Sequence, residues 1–577
     1  MANPDARKQT VRFAEFELDV SAGELNKNGV RNRLQGQPFQ VLQLLLESPG
    51  RVITREELRN KLWPADTYID FDHGLNKAIS KIREALEDSA EKPRYVETLP
   101  RRGYRFIAPV NRSSEPQLGR GQPGDSVAVF PLANSDPDAD YLASGIPESI
   151  LHSLSPLPNL SVITGRFRAP AVGQERDAEM IGRKFKARAA LLGRLLQRRT
   201  KLRLQVDLVD TTTGKALWAD EYEREFSEFF LVQENIVKEV SQRLRLDLNG
   251  RANCLAKRYT DNAEAYRLYL RGRHSCELRS MEGFRKGAAH FKDAIQLDPQ
   301  YALAYAGLAT ALYLPGYYGS PRPEESFSRA RAAAEKALEL DDNLAEAHEA
   351  LASLSTFEWR WTTAEQEYRR SLDLNPNFSL SRYRYAMCLA ETGRFQEAIA
   401  ESVEAQALDP LSGPTNACLA WTLWAAGQYD KALEQSFIAT ELDPNSLFSR
   451  IAAGVCYDQS GMYKESIAEF EEGVKRNGGS MFLGFQGHAF ARSGDRTSAW
   501  NNVQRMKELS KTHYVTPAHL ALTFAGLGEN DLVIQALEEA YTNRDSFLVF
   551  TKLLPQYESL RSDPRFQDLL HRMNFPL

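Results

Sequence analysis

From about residue 250 to the C-terminus, apolar residues recur with helical spacing, and this pattern itself repeats along the chain. Helix-ending positions, most of them the proline of an LDP element or a close variant, follow at intervals of 34 residues after a first interval of 43: Pro299, Asp342, Pro376, Pro410, Pro444 and Gly478. Glycines between the helices keep nearly the same interval: Gly393, Gly427, Gly461, Gly494 and Gly528. The pattern predicts about eight antiparallel helix pairs over residues 262–546, with an insertion near PGYYGSPRPEE.

Small residues recur at three fixed phases of this repeat. They are Ala352, Ala386, Ala420 and Gly454; Ala364, Ala398, Ala432 and Ser466; and Ser371, Ala405, Ala439 and Gly473. Two antiparallel helices approach closely only where their side chains are small. The length and the small-residue phases resemble the tetratricopeptide repeat, which implies a concave groove for a protein or peptide partner. An unrelated helical bundle is the alternative. The final stretch, LLPQYESLRSDPRFQDLLHRMNFP, is expected to be a closing helix.

Residues 11–110 change from strand to helix and back to strand patterns. FAEFELDV and NGVRNRL alternate and predict a small sheet, and PFQVLQLLLESPG predicts an amphipathic helix. Thr54 and Glu57 have the spacing of a capping box that opens a second helix, REELRNKLW. A third helix, HGLNKAISKIREALED, and a hairpin, YVETLPRRGYRFIAPV, with Gly103 at its turn complete the unit.

The third helix has two different faces. At 100° per residue, Leu75, Ile79, Ile82 and Leu86 fall within about 60° of one another and should pack on the core. The opposite face carries Lys77, Ser80, Lys81 and Glu84, flanked by Asn76 and Arg83, and the hairpin tip carries Arg101 and Arg102. Cations and paired donors and acceptors are what phosphates and base edges require. Taken alone, the helix and the hairpin fit equally well a solvated amphipathic helix beside a basic turn.

The combination of these elements is more specific. Strands, three helices and then YVETLPRRGYRF resemble the effector domain of OmpR/PhoB-type response regulators, and also the related CadC-type regulators, which lack a receiver domain. LNKAISKIREAL matches the recognition helix of that family, and GYRF matches its wing strand. The resemblance implies that Lys77, Ser80 and Lys81 read the major groove of double-stranded DNA, and that the protein binds paired half-sites as a dimer.

Two further expectations come from the same resemblance. Trp63 lies between the second and third helices and should contact the DNA backbone or RNA polymerase, with a core position as an equal alternative. Where many relatives have an arginine early in the wing, this chain has Pro100, so the minor-groove contact should shift to Arg101 and Arg102 or be replaced.

Only about ten residues precede the first strand, so we expect no receiver domain and a signal that arrives from the C-terminal side.

The middle of the chain alternates apolar β-branched strands with helical stretches, which predicts an α/β layer. AVFPL, GRLLQRR, the VDLVDTTTG hairpin and the LWADEY strand are similar to the TolB N-terminal-like domain of bacterial signalling proteins. That similarity implies a connector or sensing module. A helix, EFFLVQENIVKEVSQRLRLDL, closes the unit.

The segment from Asn111 to Asp125 is polar and rich in glycine and proline, as linkers are. The predicted architecture is multidomain α+β: a winged-helix domain over residues 1–112, a linker over 113–124, an α/β domain over 125–250 and an all-α tetratricopeptide-repeat superhelix over 251–577. The net charge of −5 does not exclude DNA binding, since a basic patch on one domain is sufficient. Five widely spaced cysteines indicate a reducing compartment, and no apolar run has the length of a signal peptide or a membrane span, so we expect a cytoplasmic protein.

Motifs that carry catalysis are missing or out of context. Gly119, Gly121 and Gly124 form a G-x-G-x-x-G, but a polar linker precedes it and a strand follows it. Gly214-Lys215 fits a hairpin turn better than a phosphate-binding loop. We therefore expect no enzyme, no cofactor and no metal, but a transcriptional regulator that receives its input through the α/β and repeat domains. A protein scaffold whose winged helix docks protein or binds nucleic acid non-specifically is the alternative.

Overall fold

The computed structural model describes residues 10–13, 16–19, 24–27, 30–32, 34, 37–47, 52–62, 71–89, 93–99, 103–108, 111–113, 126–157, 160–164, 180–182, 184–198, 201–244, 259–318, 323–444, 446–477 and 479–576. The chain folds into two compact units, Met1–Arg120 and Gly121–Leu577. Within the described part of the chain, no helix is both long and apolar enough to cross a membrane.

The first unit contains two small antiparallel sheets and three helices. Its strands are β1 (Thr10–Phe13), β2 (Phe16–Asp19), β3 (Glu24–Lys27), β4 (Val30–Asn32), β5 (Val52–Thr54), β6 (Val96–Leu99), β7 (Gly103–Phe106) and β8 (Asn111–Ser113). Its helices are α1 (Gln37–Glu47), α2 (Arg55–Leu62) and α3 (Phe71–Leu86). The sheets have the strand orders β4-β3-β2-β1-β8 and β5-β7-β6. Three helices between strands and a final hairpin are the predicted winged helix.

The predicted strand segments FAEFELDV and NGVRNRL cover β2 and β4, and they leave out β3, β5, β8 and most of β1. Two of these unpredicted strands pair with distant parts of the chain. Val52–Thr54 forms β5, which pairs with the wing strand β7 before the chain turns directly into α2. Asn111–Ser113, which composition assigned to the start of the linker, forms β8 and pairs with β1, about 100 residues earlier in the chain. Residues 114–125, with the rest of the linker and its glycine motif, lie outside the described residues.

The core of the first unit includes the predicted stripe of α3. Leu75, Ile79, Ile82 and Leu86 are between 0% and 2% exposed. Both sheets contribute to the same core, which includes Phe16 of β2 and Phe106 of β7. Phe16 also packs edge to face on Tyr95, just before β6, with ring centroids 5.6 Å apart.

The second unit begins with a mixed sheet of order β10-β9-β11-β12-β13. Its strands are β9 (Ser126–Val129), β10 (Ser161–Thr164), β11 (Ala189–Arg198), β12 (Lys201–Asp210) and β13 (Ala216–Glu225), and its helices are α4 (Asp140–Leu154) and α5 (Phe229–Arg243). β9 runs parallel to both neighbours, whereas β11, β12 and β13 form an antiparallel meander. Gly214, with φ +69°, lies in the turn between β12 and β13, as the hairpin interpretation predicts.

Sixteen described helices follow as eight antiparallel pairs, and a last helix ends the chain. They are α6 (Ala263–Glu277), α7 (Met281–Leu297), α8 (Ala302–Tyr313), α9 (Pro323–Leu340), α10 (Ala345–Phe357), α11 (Trp361–Leu374), α12 (Ser379–Glu391), α13 (Phe395–Leu408), α14 (Gly413–Ala425), α15 (Tyr429–Leu442), α16 (Leu447–Gln459), α17 (Tyr463–Asn477), α18 (Ser480–Arg492), α19 (Arg496–Leu509), α20 (Pro517–Leu527), α21 (Asn530–Thr542) and α22 (Pro564–Arg572). The repeat pattern of the sequence is confirmed.

The turns inside the helix pairs show why glycine recurs there. From the fourth to the eighth pair, the five predicted glycines have φ between +72° and +94°. The left-handed region brings the Cβ of other residues too close to the following carbonyl oxygen. Two residues adopt it at the equivalent turns of the first and third pairs: Arg279 with φ +45° and Trp359 with φ +59°.

The C-terminal segment (residues 545–576) does more than close the array. Its Phe547 and Phe550 contact Phe485 of α18 and Trp421 of α14, with ring centroids 6.1 Å and 5.5 Å apart. Further on, the indole Nε1 of Trp361 donates a hydrogen bond to the carbonyl oxygen of Met573 at 3.0 Å. The segment therefore returns from the eighth pair to the third, across the face that the first helices of the pairs form. The expected closing helix is only its last part.

The α/β layer and the array pack into one core. Asn377, at the start of the fourth pair, donates hydrogen bonds from Nδ2 to the carbonyl oxygens of Ser155 at 2.8 Å and Leu160 at 2.9 Å. Its Oδ1 accepts a hydrogen bond from the amide of Val162 in β10 at 3.2 Å. His152 of α4 forms an ion pair with Glu346 of α10, with Nδ1 and Oε1 2.8 Å apart.

Asn377→Ala should loosen β10. The substitution leaves three buried backbone groups without their partner, which costs about 3 kcal/mol in total. We expect the opening free energy of the Val162 amide, measured by hydrogen exchange, to fall by that amount. Asn343→Ala removes the exposed asparagine one repeat earlier and should change it by less than about 0.5 kcal/mol. Equal effects of the two substitutions would contradict the interpretation.

The contribution of the His152–Glu346 pair should depend on pH. Burial lowers the pKa of His152, but the Glu346 carboxylate outweighs it, so this pKa lies above its ordinary value of 6.5. Burial raises the pKa of Glu346, but His152 outweighs it, so this pKa lies below its ordinary value of 4.5. The pair therefore stabilises the fold fully between pH 4.5 and 6.5. Its contribution is lost as the pH rises through the raised pKa of His152, or falls through the lowered pKa of Glu346.

Thermal unfolding of wild type and His152→Gln across pH 4 to 9 checks this expectation. The difference in melting temperature should be largest near pH 5.5 and should shrink above neutral pH. A difference that stays constant with pH would show that the imidazole acts only by packing.

Candidate DNA-binding surface

The buried stripe of α3 holds the polar face of the helix outward. Lys77, Ser80 and Lys81 are exposed, as the helical wheel predicts, and Glu84 lies beside them. Lysine ammonium groups bind phosphate oxygens, and a serine hydroxyl both donates to and accepts from base edges. The surface can therefore contact a nucleic-acid backbone and read bases at one place. That these three residues contact DNA stays a prediction.

Asn76 is exposed, but its side chain joins three elements. Its Oδ1 accepts hydrogen bonds from Nη2 of Arg55 at 3.2 Å and from the hydroxyl of Tyr104 at 3.0 Å. The same Arg55 nitrogen donates to the Tyr104 hydroxyl at 3.1 Å. Asn76 thus connects α3 to the start of α2 and to the wing strand β7. This arrangement fixes the orientation of the helix whether or not Asn76 also contacts a base.

Arg83 lies at the other border of the polar face and bonds to the hairpin. Its Nη2 donates to the carbonyl oxygen of Val96 and to Oγ1 of Thr98, both at 2.8 Å. The residue is half-buried. In this structure its guanidinium holds β6 against α3. To contact DNA as predicted, Arg83 would have to keep these hydrogen bonds while binding or break them.

Asp88 anchors the loop between α3 and β6. Its Oδ1 accepts hydrogen bonds from the backbone amides of Ser89 at 3.0 Å and Arg94 at 2.7 Å. Its Oδ2 accepts from the amides of Tyr95 at 3.1 Å and Val96 at 2.8 Å. One carboxylate therefore sets where the hairpin starts relative to the recognition helix.

The hairpin itself is closely packed against the rest of the domain. A Cβ at Gly103 would lie 2.0 Å from the carbonyl oxygen of Ile53 in β5, so only glycine fits there. Across the two strands, the guanidinium of Arg105 pairs with Glu97 at 2.6 Å. The predicted capping box is confirmed. The amide of Thr54 donates to Oε2 of Glu57 at 2.8 Å, and the amide of Glu57 donates to Oγ1 of Thr54 at 3.1 Å.

Four residues of the sequence prediction lie outside the described residues. They are Trp63, Pro100, Arg101 and Arg102. Their expected contacts with DNA or RNA polymerase therefore stay predictions.

Sequence reasoning missed the three residues that position the surface, namely Arg55, Tyr104 and Asp88. In the sequence Tyr104 is only one residue of the GYRF motif, and Arg55 is only the first residue of the second helix. Asp88 is the last residue of the predicted third helix, but the helix ends at Leu86, so the Asp88 side chain accepts hydrogen bonds from the backbone amides of the loop. None of the three stands out by periodicity, because each acts through partners on other elements.

Comparison with known proteins matches two segments of the chain to family models. The family model described as "Transcriptional regulatory protein, C terminal" matches residues 29–106. This range includes α1, α2, α3 and the hairpin. The family model described as "Tetratricopeptide repeat" matches residues 367–400.

Three relatives cover different shares of the chain. A putative adenylate cyclase 3 of Rhizobium meliloti (strain 1021) is 28% identical over 274 residues, which are 45% of this chain and 46% of that protein. The cholera toxin transcriptional activator of Vibrio cholerae is 32% identical over 142 residues, 24% of this chain and 46% of that protein. The transcriptional regulator HilA of Salmonella typhi is 22% identical over 437 residues, 74% of this chain and 76% of that protein.

The chain thus spans less than half the length of the first two relatives. The matches therefore describe the matched segments and not the activity of the whole protein. Residues 29–106 match the C-terminal domain of transcriptional regulatory proteins, and residues 367–400, within the helical array, match the tetratricopeptide repeat.

Proposed function

We propose that this chain is a transcriptional regulator that binds promoter DNA through α3 and the β6–β7 hairpin. The observation that carries the proposal is the exposed face of Lys77, Ser80 and Lys81 on a helix of a transcriptional-regulator domain. Two of the relatives described above are named as transcriptional regulators, and one of these matches about three quarters of each chain.

In this proposal α3 enters the major groove and the hairpin lies beside it. Lys77 and Lys81 bind phosphates or guanine edges, and Ser80 bonds to a base or a backbone oxygen. Asn76 and Arg83 act mainly by holding α3 to the hairpin. Arg101 and Arg102 reach the adjacent groove or its phosphates, and Trp63 contacts the DNA backbone or RNA polymerase, as the family resemblance implies.

The protein acts in the cytoplasm, where promoter DNA is reached directly, and as a dimer on paired half-sites. The α/β layer and the repeats receive the signal. A protein or peptide partner in the repeat groove must compete with the C-terminal segment, whose Phe547 and Phe550 already contact the first helices of the pairs.

The proposal contains no catalytic step. The relative named a putative adenylate cyclase matches less than half of either chain, so its name describes that protein. The alternative is a scaffold whose winged helix docks protein or binds nucleic acid non-specifically, and DNA binding without sequence preference would favour it.

Selection of binding sites from random duplex DNA with the purified full chain tests the proposal. A recurring motif is expected, with two half-sites if the protein binds as a dimer. Only weak binding with no shared motif, and with the salt dependence of simple charge attraction, would contradict it.

Lys77→Ala and Lys81→Ala should each weaken binding to the selected site. If each lysine neutralises one phosphate, the slope of log K against log salt falls by about 0.9 per substitution, and the affinity at 0.15 M salt falls about fivefold. A lysine that instead contacts a base should relax the motif at one position. Titrations at four salt concentrations measure both effects.

The matched control removes the same two charges from the array. Lys286 and Lys475 are 58% and 63% exposed, and their replacement by alanine should leave DNA affinity unchanged. Equal losses in the Lys77→Ala/Lys81→Ala and Lys286→Ala/Lys475→Ala double variants would mean that net charge alone, and not the α3 face, supports binding.

Tyr104→Phe should weaken DNA binding without altering the salt dependence. The substitution keeps the buried ring but removes the hydroxyl that bonds Asn76 and Arg55, which costs about 1 kcal/mol of domain stability. We expect affinity to fall severalfold because α3 is held less firmly, with an unchanged salt slope because no cation is lost. Tyr95→Phe is the control: this tyrosine is equally buried, at 2% exposed, and its hydroxyl accepts a hydrogen bond from Nη2 of Arg94 at 3.4 Å. An affinity loss as large in Tyr95→Phe would contradict the positioning role of Tyr104.

A further inference from the structure

A cavity of about 490 Å³ remains between the α/β layer and the helical array. Its walls include residues of α4, of α6, of α8 and of the segment that opens the fourth pair. A volume of this size falls within the range of about 300–1,000 Å³ that is typical of small-molecule sites.

Arg279 lines this cavity and has a strained backbone. It lies in the turn between α6 and α7 with φ +45°, where the equivalent turns of the later pairs have glycine. A residue other than glycine in the left-handed region is held there by its surroundings, and such positions cluster at functional sites. Glycine would adopt this backbone conformation without strain. The arginine at this turn therefore indicates a role for its side chain.

The guanidinium of Arg279 is hydrogen-bonded to a hydroxyl and not to a carboxylate. Its Nη1 donates to the hydroxyl of Tyr383 at 3.1 Å, and among the described residues Arg279 forms no ion pair. The other arginine of the cavity, Arg273, already forms an ion pair with Glu148 of α4. Arg279 is therefore the cation of this cavity whose charge an incoming anion can neutralise.

The cavity is also lined by a hydrogen-bond acceptor, the carboxylate of Glu346. Its Oε1 is paired with His152, whereas its Oε2 is buried and has no hydrogen-bond donor among the described residues. The residue is 9% exposed. A buried carboxylate oxygen without a donor is unfavourable, and a bound hydroxyl or amino group would satisfy it.

We propose that this cavity binds a small organic anion, whose carboxylate or phosphate group pairs with Arg279 and whose hydroxyl or amino group donates to Glu346. The ligand is a metabolite-sized molecule that fits between the α/β layer and the repeats. This site goes beyond the proposed DNA-binding function and does not depend on it, because ligand binding is measured without DNA.

Thermal unfolding of the full chain with defined probes tests the proposal. The probes are L-malate and L-glutamate as carboxylates, glycerol 3-phosphate and glucose 6-phosphate as phosphates, and glycerol and glucose as neutral counterparts, all at matched ionic strength up to 10 mM. At least one anion should raise the melting temperature saturably, and the neutral compounds should not. The anions that act distinguish a carboxylate ligand from a phosphate ligand. If none of the four anions acts on the wild type, the proposal is wrong.

Arg279→Gly is the decisive variant, because glycine suits the turn while the guanidinium is lost. Without probe, the variant should melt at the same temperature as the wild type or higher. With the active anion, its affinity should be at least about tenfold lower, as expected for the loss of one charge-assisted hydrogen bond. Arg285→Ala, on the exposed side of α7, is the matched control and should bind as the wild type does. Equal shifts in the wild type and in Arg279→Gly would overturn the proposal.

Discussion

The burial of one apolar stripe on α3 determines which side of this helix is exposed to solvent. Because Leu75, Ile79, Ile82 and Leu86 are almost completely buried, the helix cannot rotate, and the side that carries Lys77, Ser80 and Lys81 must face solvent. The polar residues at the borders of the stripe then act on the hairpin. Asn76 bonds to Tyr104 of β7, and Arg83 bonds to β6, so helix and wing are held in one arrangement.

In the helical array, the turns of the helix pairs constrain which residues can occupy them. Its repeated turns require the left-handed backbone that glycine adopts freely, and the exceptions, Arg279 and Trp359, have side chains with a specific place. Trp359 stacks on Tyr541 of the last pair with ring centroids 5.1 Å apart, which brings the third and eighth pairs together. Arg279 lines the cavity beside the α/β layer. The two turns without glycine therefore carry side chains that contact or face other parts of the chain.

Periodicity predicted the helix pairs and the outward face of α3, because both depend only on spacing along one helix or between successive ones. It did not predict β8, whose partner β1 is about 100 residues away, or the path of the C-terminal segment. The short apolar run around Phe547 and Phe550 has no helical period, and its place depends on Phe485 and Trp421, far away in the sequence. The Arg55–Asn76–Tyr104 contacts were missed for the same reason, since they join three elements.

The central claim, that α3 reads the major groove, is tested most directly by methylation interference on a selected binding site. Dimethyl sulfate places a methyl group on N7 of guanine in the major groove and on N3 of adenine in the minor groove. We predict that N7 methylation within each half-site excludes the DNA from the complex, and that this interference weakens at one position in Lys77→Ala or Lys81→Ala. Binding that tolerates every N7 methyl group and is blocked only by N3 methylation would place the protein in the minor groove and contradict the account.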